Sequence, residues 1–155
     1  MVFLISNHTA MKALETILEK EHYRKIKFRI TKTQHLLINA EINGVKGRFI
    51  LDTGASNTCV CIKSVELFQL YAKNSKTKAV GAGSSDITTQ IAKNNNLKIG
   101  KWKNSNFNIV VIDLFHVNEV LTQFRTKPVQ GIIGADVLMQ GKAIVDYANH
   151  YLYLL

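Results

Sequence analysis

The acidic residues are the first place to look for chemistry, because the chain has only 11 Asp and Glu against 20 Lys and Arg. Asp52 stands apart, since it follows the apolar run Phe49-Ile50-Leu51 and precedes Thr53 and Gly54. A carboxylate at the end of a buried strand loses hydration unless hydrogen bonds compensate. The Thr53 hydroxyl and the Gly54 N–H can supply them. The pattern is compatible with a chemically active carboxylate, but taken alone it leaves ahead the alternative of an Asp that ends a strand and starts a turn.

A second segment repeats this theme in the C-terminal half of the chain. Gly131-Ile132-Ile133-Gly134 is an apolar strand that runs into a glycine turn, as Phe49 to Gly54 does. Between the two lies a small-residue turn, Val80-Gly81-Ala82-Gly83, flanked by candidate strands. A lone Asp-Thr-Gly matches easily by chance, but two related half-motifs in one domain favour a functional role for Asp52.

In this order and spacing, the segments resemble the retropepsin-like aspartic proteases, the single-domain relatives of pepsin. The resemblance runs from the neighbourhood of His35 to the C-terminus. It divides the chain into residues 1–32, an N-terminal helical extension and first strand, and residues 33–155, the protease domain. The matching segments are Phe49 to Ser56, Val80 to Gly83, Gly131 to Leu138, Ile144 to Tyr147 and Tyr151 to Leu154.

The resemblance implies an all-β fold, a small β-barrel with a flap hairpin over the cleft, and one catalytic Asp per chain, Asp52. Thr53 would brace the active site across a dimer axis, and the Gly54 N–H would hold the Asp52 carboxylate. An extended peptide would bind between floor and flap by backbone pairing. The expected substrate-binding residues are Ala55 and Ser56 in the floor and Val80, Gly81, Ala82 and Gly83 at the flap tip.

The chain length turns this resemblance into an expectation about assembly. A working site of this family needs two Asp residues, and the 155 residues hold one Asp-Thr-Gly and no room for a second domain. The resemblance therefore implies a homodimeric aspartic endopeptidase with its site on a two-fold axis. The two Asp52 side chains would share one proton and activate a water molecule between them. No cofactor and no covalent intermediate are expected.

Other candidates for chemistry have structural interpretations. Asp136 and Asp146 lack a following Thr-Gly, and Asp113 precedes a predicted helix, so we expect caps or turns. Cys59 and Cys61 lie two residues apart on one strand face, where they are poorly placed to bond each other, so we expect buried free thiols. The five His show no His-x-x-x-His spacing, and no metal site is predicted.

The elements that must position these residues are mostly strands. Short segments of alternating polarity are separated by frequent turn signals, which indicates an all-β barrel or sandwich. An apolar stripe over Thr9 to Tyr23 predicts an appended helix. Short helices are predicted at 64–70, 117–124 and 135–139, and a turn at 94–96. The predicted strands are 25–30, 36–42, 45–51, 58–62, 77–80, 87–92, 108–114, 131–134, 143–147 and 150–155.

The net charge of +9 raises an alternative of a different class, nucleic-acid binding. Basic residues cluster between Lys20 and Lys32, and three lysines surround Trp102. Only four of the 20 basic residues are Arg and the lysines are spread widely, which favours a solvated surface. A further alternative is a non-catalytic dimeric peptide-binding module on the same fold, against which the intact Asp52-Thr53-Gly54 argues.

The ends of the chain carry two further expectations. Met1 to Ser6 is apolar but too short for a secretory signal, and no segment approaches the roughly 18 apolar residues that cross a membrane. A cytoplasmic protein with reduced thiols is therefore expected. Tyr151 to Leu155 is apolar, and since an exposed apolar edge is a liability, we expect it to pair across the dimer axis.

Overall fold

Strands are the most abundant regular element in the computed structural model, which describes residues 7–74, 79–81, 84–87 and 89–155. The predicted all-β class with an N-terminal helix is confirmed. The helices are α1 Asn7–Lys20, α2 Phe115–Gln123 and α3 Ala135–Gln140. The strands are β1 Arg24–Lys27, β2 Arg29–Ile30, β3 Leu36–Ile42, β4 Val45–Leu51, β5 Cys59–Cys61, β6 Ala72–Asn74, β7 Ala79–Gly81, β8 Ser84–Ile87, β9 Gln90–Ile99, β10 Trp102–Ile112, β11 Gly131–Ile133, β12 Ile144–Asp146 and β13 Tyr151–Leu154.

The main sheet has the strand order β2-β3-β4-β11-β5-β10-β9-β6. β3 also pairs with β9, with Glu41 opposite Lys98, so the sheet closes on itself as a barrel. Burial of large apolar side chains inside the barrel stabilises it by roughly 1.5–3 kcal/mol for each one. The largest fully buried ones are Phe28, Phe49 and Phe68, none more than 1% exposed.

A smaller sheet has the order β1-β13-β12, which places the C-terminal strand in its centre. β13 pairs with β1 on one edge and with β12 on the other, both antiparallel and both within the chain. Leu152 and Leu154 are fully buried, and the Leu155 N–H donates to the Gly141 carbonyl at 2.8 Å. The expectation that Tyr151 to Leu155 pairs across a dimer axis is therefore wrong, because β1 of the same chain covers that edge.

Helix α1 begins near its predicted start and ends at Lys20, three residues before the predicted end. Its apolar stripe is narrower than predicted, since Leu18 is 5% exposed but Ile17 is 57% exposed. Lys25 of β1 donates to the Glu15 carboxylate of the helix, and its ammonium lies 4.1 Å from the centroid of the Tyr151 ring. These contacts dock α1 beside the smaller sheet. No helix among the described residues is long and apolar enough to cross a membrane.

Strands β3 and β4 have the predicted bounds, and the hairpin between them turns at Asn43-Gly44, both with positive φ. The predicted turn at 94–96 is wrong, because β9 runs through it. There Asn95 is buried, donates to the Ala92 carbonyl at 3.0 Å and accepts from Asn43 Nδ2 at 3.0 Å. The bond to Asn43, which spans 52 positions, helps to keep a turn-forming sequence inside a strand.

Two further predicted elements differ from the structure. The helix predicted at 64–70 is wrong, since a single 3-10 turn at Ile62–Ser64 is followed by irregular turns. The strand predicted at 25–30 is interrupted at Phe28, which separates β1 from β2. The Phe28 N–H donates to the His150 carbonyl at 3.0 Å, so the chain passes there from one sheet to the other.

A two-stranded hairpin forms where the flap is expected. β7 and β8 are antiparallel, with Ala79 opposite Ile87 and Gly81 opposite Ser84. Of the four predicted flap-tip residues, Val80 and Gly81 lie in β7, and Ala82 and Gly83 lie outside the described residues. The strand predicted at 87–92 is divided between β8 and β9.

Candidate active site

Two parallel strands of the barrel position Asp52. β4 and β11 run side by side, with Phe49 opposite Gly131 and Leu51 opposite Ile133. The ladder continues one step past β4, because the Asp52 N–H donates to the Ile133 carbonyl at 3.0 Å. The two half-motifs predicted from the sequence are thus adjacent strands, and Asp52 lies where the first of them ends.

The Asp52 carboxylate is held by its own loop and is half-buried. Its Oδ1 accepts a hydrogen bond from the Gly54 N–H at 2.8 Å, as predicted. A Cβ placed on Gly54 would lie 3.3 Å from the same oxygen, so glycine lets the backbone approach the carboxylate closely. The Thr53 side chain is exposed, and no bond from its hydroxyl to Asp52 is found in the described part of the chain.

The remaining predicted floor residues share the loop with Asp52. Ala55 is half-buried and Ser56 is exposed. The Ala55 N–H donates to the Asp52 carbonyl at 3.3 Å, and its own carbonyl accepts from the Ala135 N–H at 2.7 Å. The loop therefore turns back directly after the catalytic candidate and is joined to the start of α3. The predicted flap residues lie in the separate β7–β8 hairpin.

A buried hydrogen-bond network holds the far end of this loop. The Thr58 hydroxyl donates to Asp136 Oδ1 at 2.7 Å and accepts from the Gly134 N–H at 3.0 Å. The Thr58 N–H donates to Asp136 Oδ2 at 2.8 Å, and the Val137 N–H donates to Oδ1 at 2.8 Å. Thr58 is fully buried. Hydrogen bonds to an ionised carboxylate are among the stronger ones, so this network fixes the loop against α3.

Gly134 is required where the loop meets α3. A Cβ at this position would lie 2.6 Å from the Asn57 carbonyl carbon and 2.8 Å from the Ala55 carbonyl oxygen. Both atoms belong to the backbone and cannot turn away as a flexible side chain would. The glycine that ends the second half-motif therefore permits close packing of the Asp52 loop.

Thr58 is absent from the functional residues predicted from the sequence, which placed it only at the start of a strand. Its role depends on Asp136, 78 positions along the chain. The only available signal is a hydroxyl residue directly after the Asp-Thr-Gly loop, together with an Asp after Gly134-Ala135. A sequence without the fold does not bring these two positions together.

The other acidic candidates have structural roles, as predicted. Asp136 belongs to the network that holds the loop. Asp113 accepts from the Phe115 N–H at 2.8 Å at the start of α2. Asp146 pins a turn, because its two oxygens accept from the Asn149 N–H at 3.0 Å and from Asn149 Nδ2 at 2.7 Å.

The two thiols are buried and free, as expected. Burial raises the pKa of the Cys59 thiol to about 12. A thiol of that pKa is protonated at neutral pH and is a poor nucleophile. Within the described residues, no group of three or more His, Cys, Asp or Glu could hold a metal ion.

The site thus consists of a half-buried carboxylate in an Asp-Thr-Gly turn, beside a parallel strand that leads through Gly134 into α3. Residues 38–137 match the model of an aspartyl protease family. This is more than half of the chain, and the chain belongs to that family.

Solved structures of low sequence identity show the same fold. A retropepsin-like aspartic protease from Rickettsia conorii superposes with a TM-score of 0.58 at 22% identity, covering 85% of this chain and 90% of that one. The EIAV protease, complexed with the inhibitor HBY-793, gives a TM-score of 0.54 at 17% identity, covering 74% and 95% of the two chains. The retropepsin-like fold is thereby confirmed. No significant sequence match to a curated protein was found.

Proposed function

We propose that the chain is one half of a homodimeric aspartic endopeptidase, in which the Asp52 residues of two copies form the catalytic pair. The observation that carries the proposal is the placement of Asp52. Its carboxylate is half-buried, receives the Gly54 N–H and lies in a loop fixed at both ends to β11 and α3. Fixed orientation before substrate arrives is what general acid–base catalysis requires.

The need for a second copy follows from the count of such sites. The chain has one Asp-Thr-Gly. The other carboxylates near the half-motifs already accept hydrogen bonds that give them structural roles, so the same chain offers no second catalytic carboxylate there. Thr53 and Gly54 are exposed at the surface of the loop, where the same loop of a second copy has access to them. A two-fold axis at this loop brings the two Asp52 side chains together.

The mechanism then depends on like charges at short distance. Two adjacent carboxylates cannot both ionise cheaply, so the pair keeps one proton, as is general for aspartic proteases. The ionised Asp52 takes a proton from a water molecule, and the resulting hydroxide attacks the peptide carbonyl carbon. The protonated Asp52 of the other copy donates to the carbonyl oxygen. Peptide hydrolysis completes when the Asp52 that took the water proton gives it to the amide nitrogen, the C–N bond breaks to release the amine, and a hydroxyl proton of the tetrahedral species returns to the other Asp52.

Substrate would bind as an extended strand between the Asp52 loop and the β7–β8 hairpin. In this proposal Ala55 and Ser56 form the floor, and the residues at positions 80–83 form the tip of a flap. Closure of the hairpin would exclude water and order the peptide. We also propose that the enzyme acts in the cytoplasm, where the buried thiols of Cys59 and Cys61 stay reduced.

The test is peptide cleavage by the purified chain, with Asp52→Asn as the variant and Asp113→Asn as the matched control. Both substitutions replace one carboxylate by an amide, and Asp113 lies at the start of α2, outside the Asp52 loop. A mixed peptide library incubated from acidic to neutral pH should be cleaved by the parent and by Asp113→Asn, but not by Asp52→Asn. Cleavage by all three would disprove the role of Asp52. Cleavage by none would favour a non-catalytic peptide-binding module.

A further inference from the structure

A groove of about 620 Å³ lies on the barrel at the hairpin end of β3 and β4, and Asp52 is not among the residues that line it. We call it the basic groove and define it by four cationic side chains and one acidic one. In β4, Lys46 lies near the end opposite Asp52 and Arg48 lies at the middle, and β1 and β9 supply one lysine each. The defining residues are Lys27, Glu41, Lys46, Arg48 and Lys98.

The positive charge of this groove is only partly neutralised. Lys98 Nζ lies 3.1 and 3.2 Å from the two oxygens of Glu41, which is the one carboxylate in the lining. Lys27 and Lys46 have no ion-pair partner within the described residues. Arg48 donates to the Pro128 carbonyl at 2.8 Å, and its Nε is buried without a hydrogen-bond partner. A concave surface with an excess of one charge focuses its potential and attracts an oppositely charged ligand.

The shape of the groove favours a peptide. Its floor contains the buried side chains of Ile26 and Ala40, and Leu67, 48% exposed, lies at its edge. β3 has β4 on one side. On its other side, β3 pairs with β2 at Leu36 and Leu37 and with β9 at Glu41 and Ile42. Among the described residues, positions 38–40 of β3 therefore have no strand partner on that side.

The lining does not fit single-stranded nucleic acid equally well. Such ligands are held by aromatic side chains on which successive bases stack, in addition to a basic track. Among the described residues that line the groove, none is aromatic. Aliphatic side chains beside ammonium and guanidinium groups instead match a segment that carries both carboxylates and an aliphatic residue.

We propose that the basic groove binds an acidic peptide segment in extended form. Its carboxylates face Lys27, Lys46 and Arg48, and an aliphatic residue packs against Leu67. The proposal does not depend on peptide cleavage, because the groove and Asp52 lie at opposite ends of β4. In a protease, such a groove recruits substrates or regulators by an acidic stretch distinct from the bond that is cut.

The test measures the fluorescence anisotropy of a labelled octapeptide of alternating Glu and Leu. All proteins carry Asp52→Asn so that the probe is not cut, which separates this test from that of the proposed function. The double variant Lys27→Gln/Lys46→Gln should weaken binding by about tenfold or more, since two of the facing charges are lost. The matched control Lys12→Gln/Lys93→Gln removes two exposed charges elsewhere and should change binding by less than about twofold.

A second pair of variants predicts a gain of affinity. Glu41→Gln removes the one carboxylate of the lining and releases Lys98, so binding should tighten by about threefold, whereas Glu19→Gln on α1 should leave it unchanged. Equal weakening by the two double lysine variants would overturn the proposal, because binding would then follow overall charge. Tighter binding of a labelled octathymidylate than of the peptide would also overturn it. An octapeptide with Gln in place of Glu should not bind.

Discussion

The two halves of the site use the same local sequence pattern for opposite purposes. Each has an apolar strand, β4 or β11, that runs into a turn with glycine and aspartate. Asp136 accepts three hydrogen bonds, from the Thr58 hydroxyl and from the N–H groups of Thr58 and Val137. Asp52 accepts one that the structure describes, from Gly54, and is half-buried. The saturated carboxylate holds the loop, and the carboxylate that we propose to be catalytic keeps acceptor positions without a partner among the described residues.

The largest expected effect separates the two aspartates by substitution to Asn. Asp52→Asn should reduce peptide cleavage to background and change the free energy of unfolding by less than about 0.5 kcal/mol, because the amide oxygen of Asn can still accept the Gly54 N–H. Asp136→Asn should lower the free energy of unfolding by about 3 kcal/mol, since its amide places a donor against a donor. Urea unfolding and a cleavage assay on each variant measure both effects. A lower free energy of unfolding for Asp52→Asn than for Asp136→Asn would contradict the structural role given to Asp136.

Gly134→Ala tests the close contact between the two halves. The added Cβ would meet backbone atoms of Asn57 and Ala55 at under 3.0 Å, so the loop must shift. We expect the free energy of unfolding to fall by about 1–3 kcal/mol and cleavage to fall with it. Met139→Ala, at a side chain that is 79% exposed on the adjacent helix, is the control and should be close to neutral. Unchanged activity in Gly134→Ala would show that the loop position does not control catalysis.

Thr58→Val asks how much the hydroxyl of the network contributes. Valine keeps the shape but leaves Asp136 Oδ1 with one bond fewer and the Gly134 N–H without its acceptor. The free energy of unfolding should fall by about 1–2 kcal/mol. Thr122→Val removes a hydroxyl bonded to the Asn118 carbonyl on the exposed face of α2 and should cost less than about 0.5 kcal/mol. Equal losses in the free energy of unfolding of the two variants would mean that the Thr58 network stabilises the fold no more than an exposed hydrogen bond does.

The smallest expected effect concerns Cys59, next to Thr58 in β5. Burial raises the pKa of its thiol to about 12, so the thiol is protonated below that pH and the folded protein shields it. A thiol reagent at pH 7 to 8 should leave Cys59 unmodified while the protein is folded and modify it in urea. Mass spectrometry of the labelled protein measures this. Rapid modification of the native chain would show that β5 opens easily and does not hold the loop.

The sequence predicted those parts of the fold that depend on local pattern. β3 and β4 have their predicted bounds because alternation and the Asn43-Gly44 turn define them. The turn expected at 94–96 failed because Asn95 bonds to Asn43, 52 residues earlier. The pairing of β13 with β1 joins two ends of the chain, and local alternation does not encode such a partner.

The residues of the candidate site divide in the same way, into those that local sequence predicts and those that depend on contacts between distant positions. Asp52 and its bond from Gly54 were predictable because both lie within three residues and express one local turn. Thr58, the partner of Asp136, was not, since the bond between them spans 78 positions. The structural role of Asp136 was expected from its missing Thr-Gly, but its effect on the Asp52 loop appears only in the folded chain.

The claim that two copies share one active site is tested most directly by mixing subunits. Parent and Asp52→Asn chains are unfolded together in equal amounts, refolded and assayed for peptide cleavage. If a catalytic pair needs one Asp52 from each copy, only dimers of two parent chains are active, and about one quarter of the activity of an all-parent sample remains. Retention of about one half would mean that each chain acts alone and would contradict the shared active site.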